Sequence, residues 1–129
     1  MLNVFETADD VLQGLAEYFV IIGNEAITKN KKFSVALSGG SSPKKLYELL
    51  ATEFHDKLDW DKVYFFFGDE RNVPQYHKDS NDLMARNALF APLMIDPANI
   101  FPVDTSLEPK EAAKKYQGEI EEFFDEDEQ

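Results

Sequence analysis

Two stretches of this sequence decide its fold. The first is Phe33-Ser-Val-Ala-Leu-Ser-Gly-Gly-Ser-Ser-Pro43, in which a mostly apolar run enters a turn rich in serine and glycine. The second is Val63-Tyr-Phe-Phe-Phe-Gly-Asp-Glu-Arg71, in which an aromatic run ends in a glycine and three charged residues. Apolar residues on both faces are typical of strands buried in a parallel sheet. We therefore predict strands over Phe33–Leu37 and Val63–Phe67.

The residues between these strands predict a helix. Pro43 suits the first position of a helix and Ser42 suits the cap before it, and an apolar stripe follows at Leu46, Leu49 and Leu50. Residues 33–67 thus have the length that a parallel strand–helix–strand crossover requires. If the strands are neighbours, their carboxyl ends lie at one edge of the sheet, which is where ligands bind in such folds.

The flanking residues extend the alternation of helices and strands. We predict a short strand over residues 3–6, a helix capped by Thr7 that ends near Asn30, a helix capped by Ser80, an edge strand over residues 99–101 and a last helix opened by Pro109. Residues 1–124 then belong to one α/β domain. The acidic end, residues 125–129, is expected to be solvated and disordered.

Composition narrows the classes of protein to which the chain can belong. The 129 residues are enough for one domain with a core, and 43% are apolar. The absence of cysteine excludes disulfides and thiolate chemistry and suits the reducing cytoplasm. No signal peptide or membrane-spanning run is present in the sequence. The net charge of −12 argues against nucleic-acid and anionic-membrane partners.

The two loops that follow the strands have the chemistry of an anion site. Gly39 and Gly40 allow a ligand to approach the backbone closely, while Ser41 and Ser42 offer hydroxyl and amide donors at the positive end of a helix. Arg71 adds a guanidinium from the second loop, which suits a phosphate monoester.

Each loop alone also has a simpler interpretation. A serine- and glycine-rich turn between a strand and a helix often binds nothing, and this one matches neither the dinucleotide fingerprint nor the P-loop. Asp69-Glu-Arg71 alone resembles a surface cluster of charges, which contributes little stability. The prediction of a site therefore depends on the two loops lying together.

Four further features complete a recognisable arrangement. After the two loops come Val73-Pro74, Ser80-Asn81 with Met84-Ala-Arg86, Ala91-Pro-Leu-Met94 and the helix over residues 108–124. This order and spacing resemble the 6-phosphogluconolactonase family, and the Gly-Asp-Glu-Arg element after an aromatic strand is the most specific part. The related glucosamine-6-phosphate deaminases carry an acidic-tyrosine variant at that point, which this chain lacks.

The resemblance implies a three-layer α/β/α fold of the Rossmann-like NagB/RpiA type with a mainly parallel sheet. It also implies a cytoplasmic hydrolase of the pentose phosphate pathway that converts 6-phosphogluconolactone to 6-phosphogluconate without a metal or organic cofactor. In this chain Arg71 would hold the substrate phosphate, and Asp69 would order the substrate or the catalytic water. The residues that would line the pocket are Gly39, Gly40, Ser41, Ser42, Ser80 and Asn81.

The chain departs from the family in its length. Family members are about twice as long, and the histidine that serves as their general base lies in a Gly-Asp-Gly-His segment of the second half. His55 and His77 do not match that segment. We therefore expect the fold to be incomplete, this chain alone to be inactive, and the chain to associate with itself or with a missing C-terminal half.

Two other functions fit the same residues. A sugar-phosphate isomerase or deaminase could use the same scaffold, and a non-catalytic phosphosugar-binding module could use the same anion site. Sensors of the second kind usually carry a DNA-binding domain, and no basic helix-turn-helix is visible in this sequence.

Overall fold

The strand–helix–strand unit predicted from the sequence forms the centre of the fold. The computed structural model describes residues 7–39, 41–68, 70, 77 and 80–128. Its main elements are α1 (Ala8–Asn30), β1 (Phe33–Leu37), α2 (Ser41–Glu53), β2 (Val63–Phe67), α3 (Asn81–Ala85), α4 (Ala91–Leu93) and α5 (Pro109–Glu128). A π-helical turn, Arg86–Phe90, joins α3 to α4. The strand predicted over residues 3–6 lies outside the described residues.

Strands β1 and β2 are parallel neighbours, as predicted. Their register runs from Phe33 opposite Val63 to Leu37 opposite Phe67. Both strands have the predicted bounds, because their aromatic and aliphatic runs end at residues that favour turns. The right-handed crossover rule then places α2 on one face of the sheet, with its start at the carboxyl ends of both strands.

One face of the sheet forms the main hydrophobic core. Phe65 is fully buried on this face and packs against Phe90 at a ring-centroid distance of 5.0 Å. Leu50 of α2 and Ala16 of α1 are fully buried in the same cluster. This face is therefore covered by α1, α2 and the turn that follows α3.

The other face is covered only in part. Tyr64 and Phe66 of β2 pack against α5, where Tyr116 and Phe123 are buried. Ala36 of β1, which points to the same face, remains exposed. The chain thus forms a three-layer α/β/α fold in which, among the described residues, the third layer covers β2 and leaves β1 open.

The helix ends explain where the predicted boundaries hold and where they shift. Thr7 caps α1 through its side chain, which accepts the Asp10 N–H at 3.1 Å, and α1 ends at Lys31 in the left-handed region with φ of 68°. The helix α2 begins at Ser41, two residues before the predicted start at Pro43. Proline is accepted throughout the first helical turn, where its missing N–H has no intrahelical acceptor.

The remaining elements agree with the predictions in outline. The predicted edge strand is reduced to a single bridge between Ile100 and Phe65, with the Phe101 N–H donating to the Phe65 carbonyl at 2.9 Å. Pro102 follows, and a proline cannot donate to a further strand. The acidic residues 125–128, for which we predicted disorder, lie in the last turns of α5. Within the described residues, no helix combines the length and apolar character needed to cross a membrane.

Candidate functional site

The carboxyl ends of β1 and β2 lie side by side. The Gly68 N–H, just after β2, donates to the carbonyl of Leu37, the last residue of β1, at 2.9 Å. This hydrogen bond continues the ladder one residue beyond the strands. The two loops that the sequence singled out therefore leave the sheet at the same edge.

The first loop is anchored by a buried tyrosine of α2. The Tyr47 hydroxyl accepts the Ser38 N–H and donates to the Ser38 carbonyl, both at 3.0 Å. Tyr47 is 5% exposed, and both hydrogen bonds are partly buried. The backbone of the loop is thus fixed before it reaches Gly39.

Gly39 lies directly against Asn81. A Cβ atom built on Gly39 would stand 2.1 Å from Asn81 Oδ1 and 2.7 Å from its Cγ. The backbone of Gly39 is not in the left-handed region, so glycine is needed here for space and not for its conformational freedom. The first loop and the start of α3 are consequently in van der Waals contact.

Glu70 joins the second loop to the start of α3. Its Oε1 accepts the Asn81 N–H at 2.7 Å, and its Oε2 accepts the Asp82 N–H at 2.9 Å. The Ser80 hydroxyl donates to Oε2 at 3.4 Å. One carboxylate therefore accepts hydrogen bonds from the first two amides of this helix. The helix dipole stabilises an anion at this end.

Ser80 caps α3 as the sequence predicted. Its Oγ accepts the Leu83 N–H at 3.2 Å, and its carbonyl accepts the Met84 N–H at 3.2 Å. Ser80 is 2% exposed and Asn81 is 5% exposed. Both residues lie where the two loops meet, and their contact with a substrate stays a prediction.

A buried carboxylate lies just behind this start of α3. Asp82 Oδ2 accepts from Arg86 Nη2 at 3.1 Å, with the side chain of Asp82 3% exposed and that of Arg86 50% exposed. Burial raises the pKa of Asp82, the guanidinium of Arg86 opposes that rise, and the neighbouring charge of Glu70 adds to it. Desolvation therefore outweighs the ion pair at this carboxyl.

A second tyrosine fixes the end of β2. The Tyr116 hydroxyl accepts the Phe67 N–H at 2.6 Å and donates to the Phe101 carbonyl at 2.6 Å. Burial raises the pKa of Tyr116 to about 12, so the hydroxyl keeps its proton at neutral pH. Helix α5 thus holds the strand immediately before the second loop.

Three of the predicted site residues cannot be placed. Gly40, Asp69 and Arg71 lie outside the described residues, as does Val73-Pro74. Ser41 and Ser42 open α2 at the carboxyl end of β1. The structure therefore brings Gly39, Ser80 and Asn81 together with the start of α2, while the predicted convergence of Arg71 on this pocket stays a prediction.

The two histidines lie at different places in the fold. His55 is exposed after the end of α2, where its Nδ1 lies 2.9 Å from the Thr52 carbonyl. The end of α2 is at the opposite edge of the sheet from its start. His77 lies beside α3, because its carbonyl accepts the Ser80 N–H at 2.9 Å.

Sequence reasoning missed Glu70, Tyr47 and Tyr116 as residues that build the site. Glu70 lies within the Gly68–Arg71 element, but functional roles were predicted only for its neighbours Asp69 and Arg71. A buried tyrosine on an apolar helix face is itself a signal, because its hydroxyl must find a hydrogen-bond partner. The identity of that partner depends on contacts between residues that are distant in the sequence.

Comparison with known sequences identifies relatives of this chain. The sequence model of the family described as glucosamine-6-phosphate isomerases/6-phosphogluconolactonase matches residues 6–129. A 6-phosphogluconolactonase of Nostoc sp. is 46% identical over 100 residues, which are 77% of this chain and 40% of that protein. One of Treponema pallidum is 35% identical over 119 residues, covering 92% of this chain and 48% of that protein.

Solved structures give the same relationship. The 6-phosphogluconolactonase of Thermotoga maritima superposes with a TM-score of 0.79 at 32% identity, covering 86% of this chain and 50% of that one. The enzyme of Trypanosoma cruzi gives a TM-score of 0.78 at 31% identity, covering 91% of this chain and 47% of that one.

These matches show the family of the chain and the share of its relatives' length that it covers. The chain spans about half the length of the relatives it matches. Its described strands, helices and loops fit the α/β fold of those relatives, as the resemblance implied. The chain belongs to the family of glucosamine-6-phosphate isomerases and 6-phosphogluconolactonases.

Proposed function

We propose that this chain is the phosphosugar-binding, N-terminal half of an enzyme that hydrolyses 6-phosphogluconolactone to 6-phosphogluconate in the oxidative pentose phosphate pathway. The names of the matched relatives support the reaction. The observation that carries the proposal is the meeting of the two strand ends at Gly68 and Leu37, with Gly39 packed against Asn81. Residues 1–124 would then be part of a single domain that the second half completes.

We assign the substrate phosphate to the positive start of α2 and to Arg71. The first amides of a helix have no intrahelical acceptor, and the helix dipole attracts an anion to them. Ser41 and Ser42 stand at these positions, and Gly39 and Gly40 precede them. The exposed cations Lys44 and Lys45 of α2 add positive potential in the next turn.

We assign the lactone ring to the region beside Asn81 and Ser80. Hydrolysis requires a water molecule, a base that takes its proton, and donors that stabilise the tetrahedral oxyanion. Attack of the water oxygen on the carbonyl carbon then breaks the ring C–O bond, and the leaving alkoxide takes a proton. Remote binding of the phosphate orients the ring for this attack.

The base is proposed to come from the second half of the full-length protein. Asp69 is the local candidate to assist by ordering the water, and the resemblance to the family assigns the base itself to a histidine of the second half. We therefore expect no lactone hydrolysis above background from residues 1–129 alone. Steady-state assay of this chain beside the full-length protein tests this, and clear turnover by the chain alone would contradict it.

We propose that the missing C-terminal half of the protein binds along the open side of β1, which is the side away from β2. Within the described part of the chain β1 pairs with β2 only, and a groove of about 310 Å³ beside it reaches from Leu15 to Pro43. Leu15 of α1 lines this groove and is 47% exposed. Large uncovered apolar surfaces are typical of interfaces.

Sedimentation velocity tests this pairing. The isolated chain should self-associate through the open side of β1, and adding the second half of the protein as a separate polypeptide should replace these species with a one-to-one complex. A stable monomer that does not bind the second half would refute the pairing.

Arg71→Ala tests the phosphate assignment. In the full-length protein, the substitution should weaken binding of phosphorylated ligands by about 1.5–3 kcal/mol, the usual contribution of a hydrogen bond to a charged group. Binding of 6-phosphogluconate and of unphosphorylated gluconate can be compared by calorimetry. Lys62→Ala is the control, because it removes an exposed cation that pairs with Asp59 before the start of β2. Equal losses for both ligands would remove Arg71 from this role.

The description of the family supports a second candidate function. It names glucosamine-6-phosphate isomerases beside the lactonases, and the same anion site would serve an amino-sugar phosphate. Assay of the full-length protein for lactone hydrolysis and for amino-sugar isomerisation or deamination separates the two. Binding of phosphosugars without turnover of either substrate would favour the non-catalytic module.

We propose the cytoplasm as the site of action and no cofactor for the reaction. The absence of cysteine suits a reducing compartment, although the matched relatives from rice and Arabidopsis are named as chloroplastic. The proposed reaction needs only water as its second reactant. Hydrolysis by the full-length protein after dialysis against a chelator tests the absence of a metal requirement.

A further inference from the structure

We propose that Glu70 is a positioning residue whose carboxylate holds Asn81 against Gly39. The inference rests on the proposed function only in calling this junction part of a substrate site. Glu70 would thereby set the shape of the pocket wall where the first and second loops meet α3, without touching the reacting atoms.

The geometry of the Glu70 carboxylate supports this role. Its two oxygens accept two consecutive backbone amides, from Asn81 at 2.7 Å and from Asp82 at 2.9 Å. Hydrogen bonds to an ionised acceptor are stronger than bonds between neutral groups. A two-point attachment fixes the orientation of the helix start as well as its distance from the second loop.

The start of α3 has its other amides satisfied as well. Ser80 Oγ accepts the Leu83 N–H, and the Ser80 carbonyl accepts the Met84 N–H. All four amides of the first turn therefore have acceptors, two of them supplied by Glu70. Moving α3 away from the second loop would leave two of these amides without an acceptor, which is costly in a buried place.

Asn81 transmits this constraint to the first loop. Its backbone is held by Glu70, and its side chain fills the space that a Cβ on Gly39 would need. Because Asn81 is 5% exposed, its side chain has little room to turn away. The position of Gly39 relative to the second loop is therefore set through Asn81.

A positioning role fits Glu70 better than an acid–base role. Both of its oxygens already accept hydrogen bonds from α3. The oxygens that would have to take a proton from water are therefore the ones that hold the start of α3.

A double-mutant cycle in the free energy of unfolding tests the linkage directly. Gly39→Ala should destabilise the chain because Glu70 holds Asn81 in place against the added methyl group. When Glu70→Ala has released Asn81, the effect of Gly39→Ala on the unfolding equilibrium constant should be at least tenfold smaller. An equal effect in both backgrounds would overturn the proposal. This result does not depend on any ligand.

Hydrogen exchange in Glu70→Gln provides a second measurement if the double variant does not fold. An amide side chain can accept one N–H but presents its own donors to the other. The Asn81 and Asp82 amides should exchange at least tenfold faster than in the unmodified chain, while the amides of α5 stay unchanged. Unchanged exchange at both positions would overturn the proposal.

Ligand binding by the full-length protein tests the consequence for the pocket. At a temperature where every variant is folded, Glu70→Gln should raise the Kd for 6-phosphogluconate about tenfold, and Glu70→Ala should raise it further. Asp96→Ala is the control, because Asp96 caps a turn through the Ala98 N–H at 2.9 Å, before Ile100. Full affinity in both Glu70 variants would overturn the positioning role. If the unmodified protein does not bind 6-phosphogluconate, the proposed function is refuted. The double-mutant cycle then still tests whether Glu70 holds Asn81 against Gly39.

Discussion

Tyr116→Phe is expected to lower the free energy of unfolding by roughly 2–5 kcal/mol. The substitution removes one oxygen, yet that oxygen serves two backbone groups, the Phe67 N–H and the Phe101 carbonyl. The Phe67 N–H would remain in a buried place without a partner, and the Phe101 carbonyl in a partly buried one. An unsatisfied group of this kind costs about 1–3 kcal/mol, less where water can reach it. Phenylalanine fills nearly the same volume, so little of the loss would come from packing.

Denaturation by urea measures this loss, with Tyr18→Phe as the matched control. Tyr18 is 62% exposed on α1, so the same chemical change there should cost less than about 0.5 kcal/mol. Equal unfolding free energies for Tyr116→Phe and the unmodified chain would show that the two backbone groups find other partners.

The pH dependence of stability gives an independent check on Tyr116. Its pKa is raised from 10.0 to about 12 in the folded chain, mainly by burial. The folded state therefore holds this proton more tightly than the unfolded state does. The resulting stabilisation is fully present below pH 10 and is lost as the pH rises from about 10 to about 12. The Tyr116→Phe variant should lack this component of the decline.

The parts of the fold that could be predicted are those fixed by local chemistry. The strands Phe33–Leu37 and Val63–Phe67 follow from apolar runs that end in turn-forming residues. Thr7 and Ser80 were recognisable as caps because their hydroxyls accept amides three residues on. Parallel pairing of the strands followed from the length of the connection between them.

The parts that could not be predicted depend on contacts between distant residues. Tyr116 meets Phe67 across 49 positions of sequence. Glu70 meets Asn81 because α3 returns to the end of β2, and no local pattern indicates that return. The predicted start of α2 was also wrong, since the first turn of a helix accepts Pro43 at the third position as readily as at the first.

Gly39 shows how the physical reason for a residue can differ from the one that its sequence context suggests. We expected this glycine to allow a ligand to approach the backbone closely. The structure shows that the close approach is to Asn81, and that the backbone of Gly39 needs no left-handed conformation. Glycine at this position is therefore required by its neighbour on α3, whether or not a ligand is bound.

The second large effect follows from this contact and is expected for Gly39→Ala. The added methyl group would stand 2.1 Å from Asn81 Oδ1 and 2.7 Å from Asn81 Cγ, so either the first loop or α3 must move. Overpacking of this kind costs roughly 1–3 kcal/mol, and the short distances favour the upper end. Because the displaced loop leads into the start of α2, affinity for 6-phosphogluconate in the full-length protein should fall at least tenfold as well.

Gly118→Ala and Asn81→Ala make this prediction specific. A Cβ on Gly118 in α5 meets nothing within 4 Å, and alanine is the better helix former by about 0.5–1 kcal/mol, so this control should be neutral or stabilising. Adding Asn81→Ala to Gly39→Ala removes the colliding amide and should recover most of the lost unfolding free energy. The contrary result is a double variant that is less stable than Gly39→Ala alone by the full cost of Asn81→Ala in the unmodified chain. The two residues would then act independently, and steric contact with Asn81 would not be the reason for glycine at position 39.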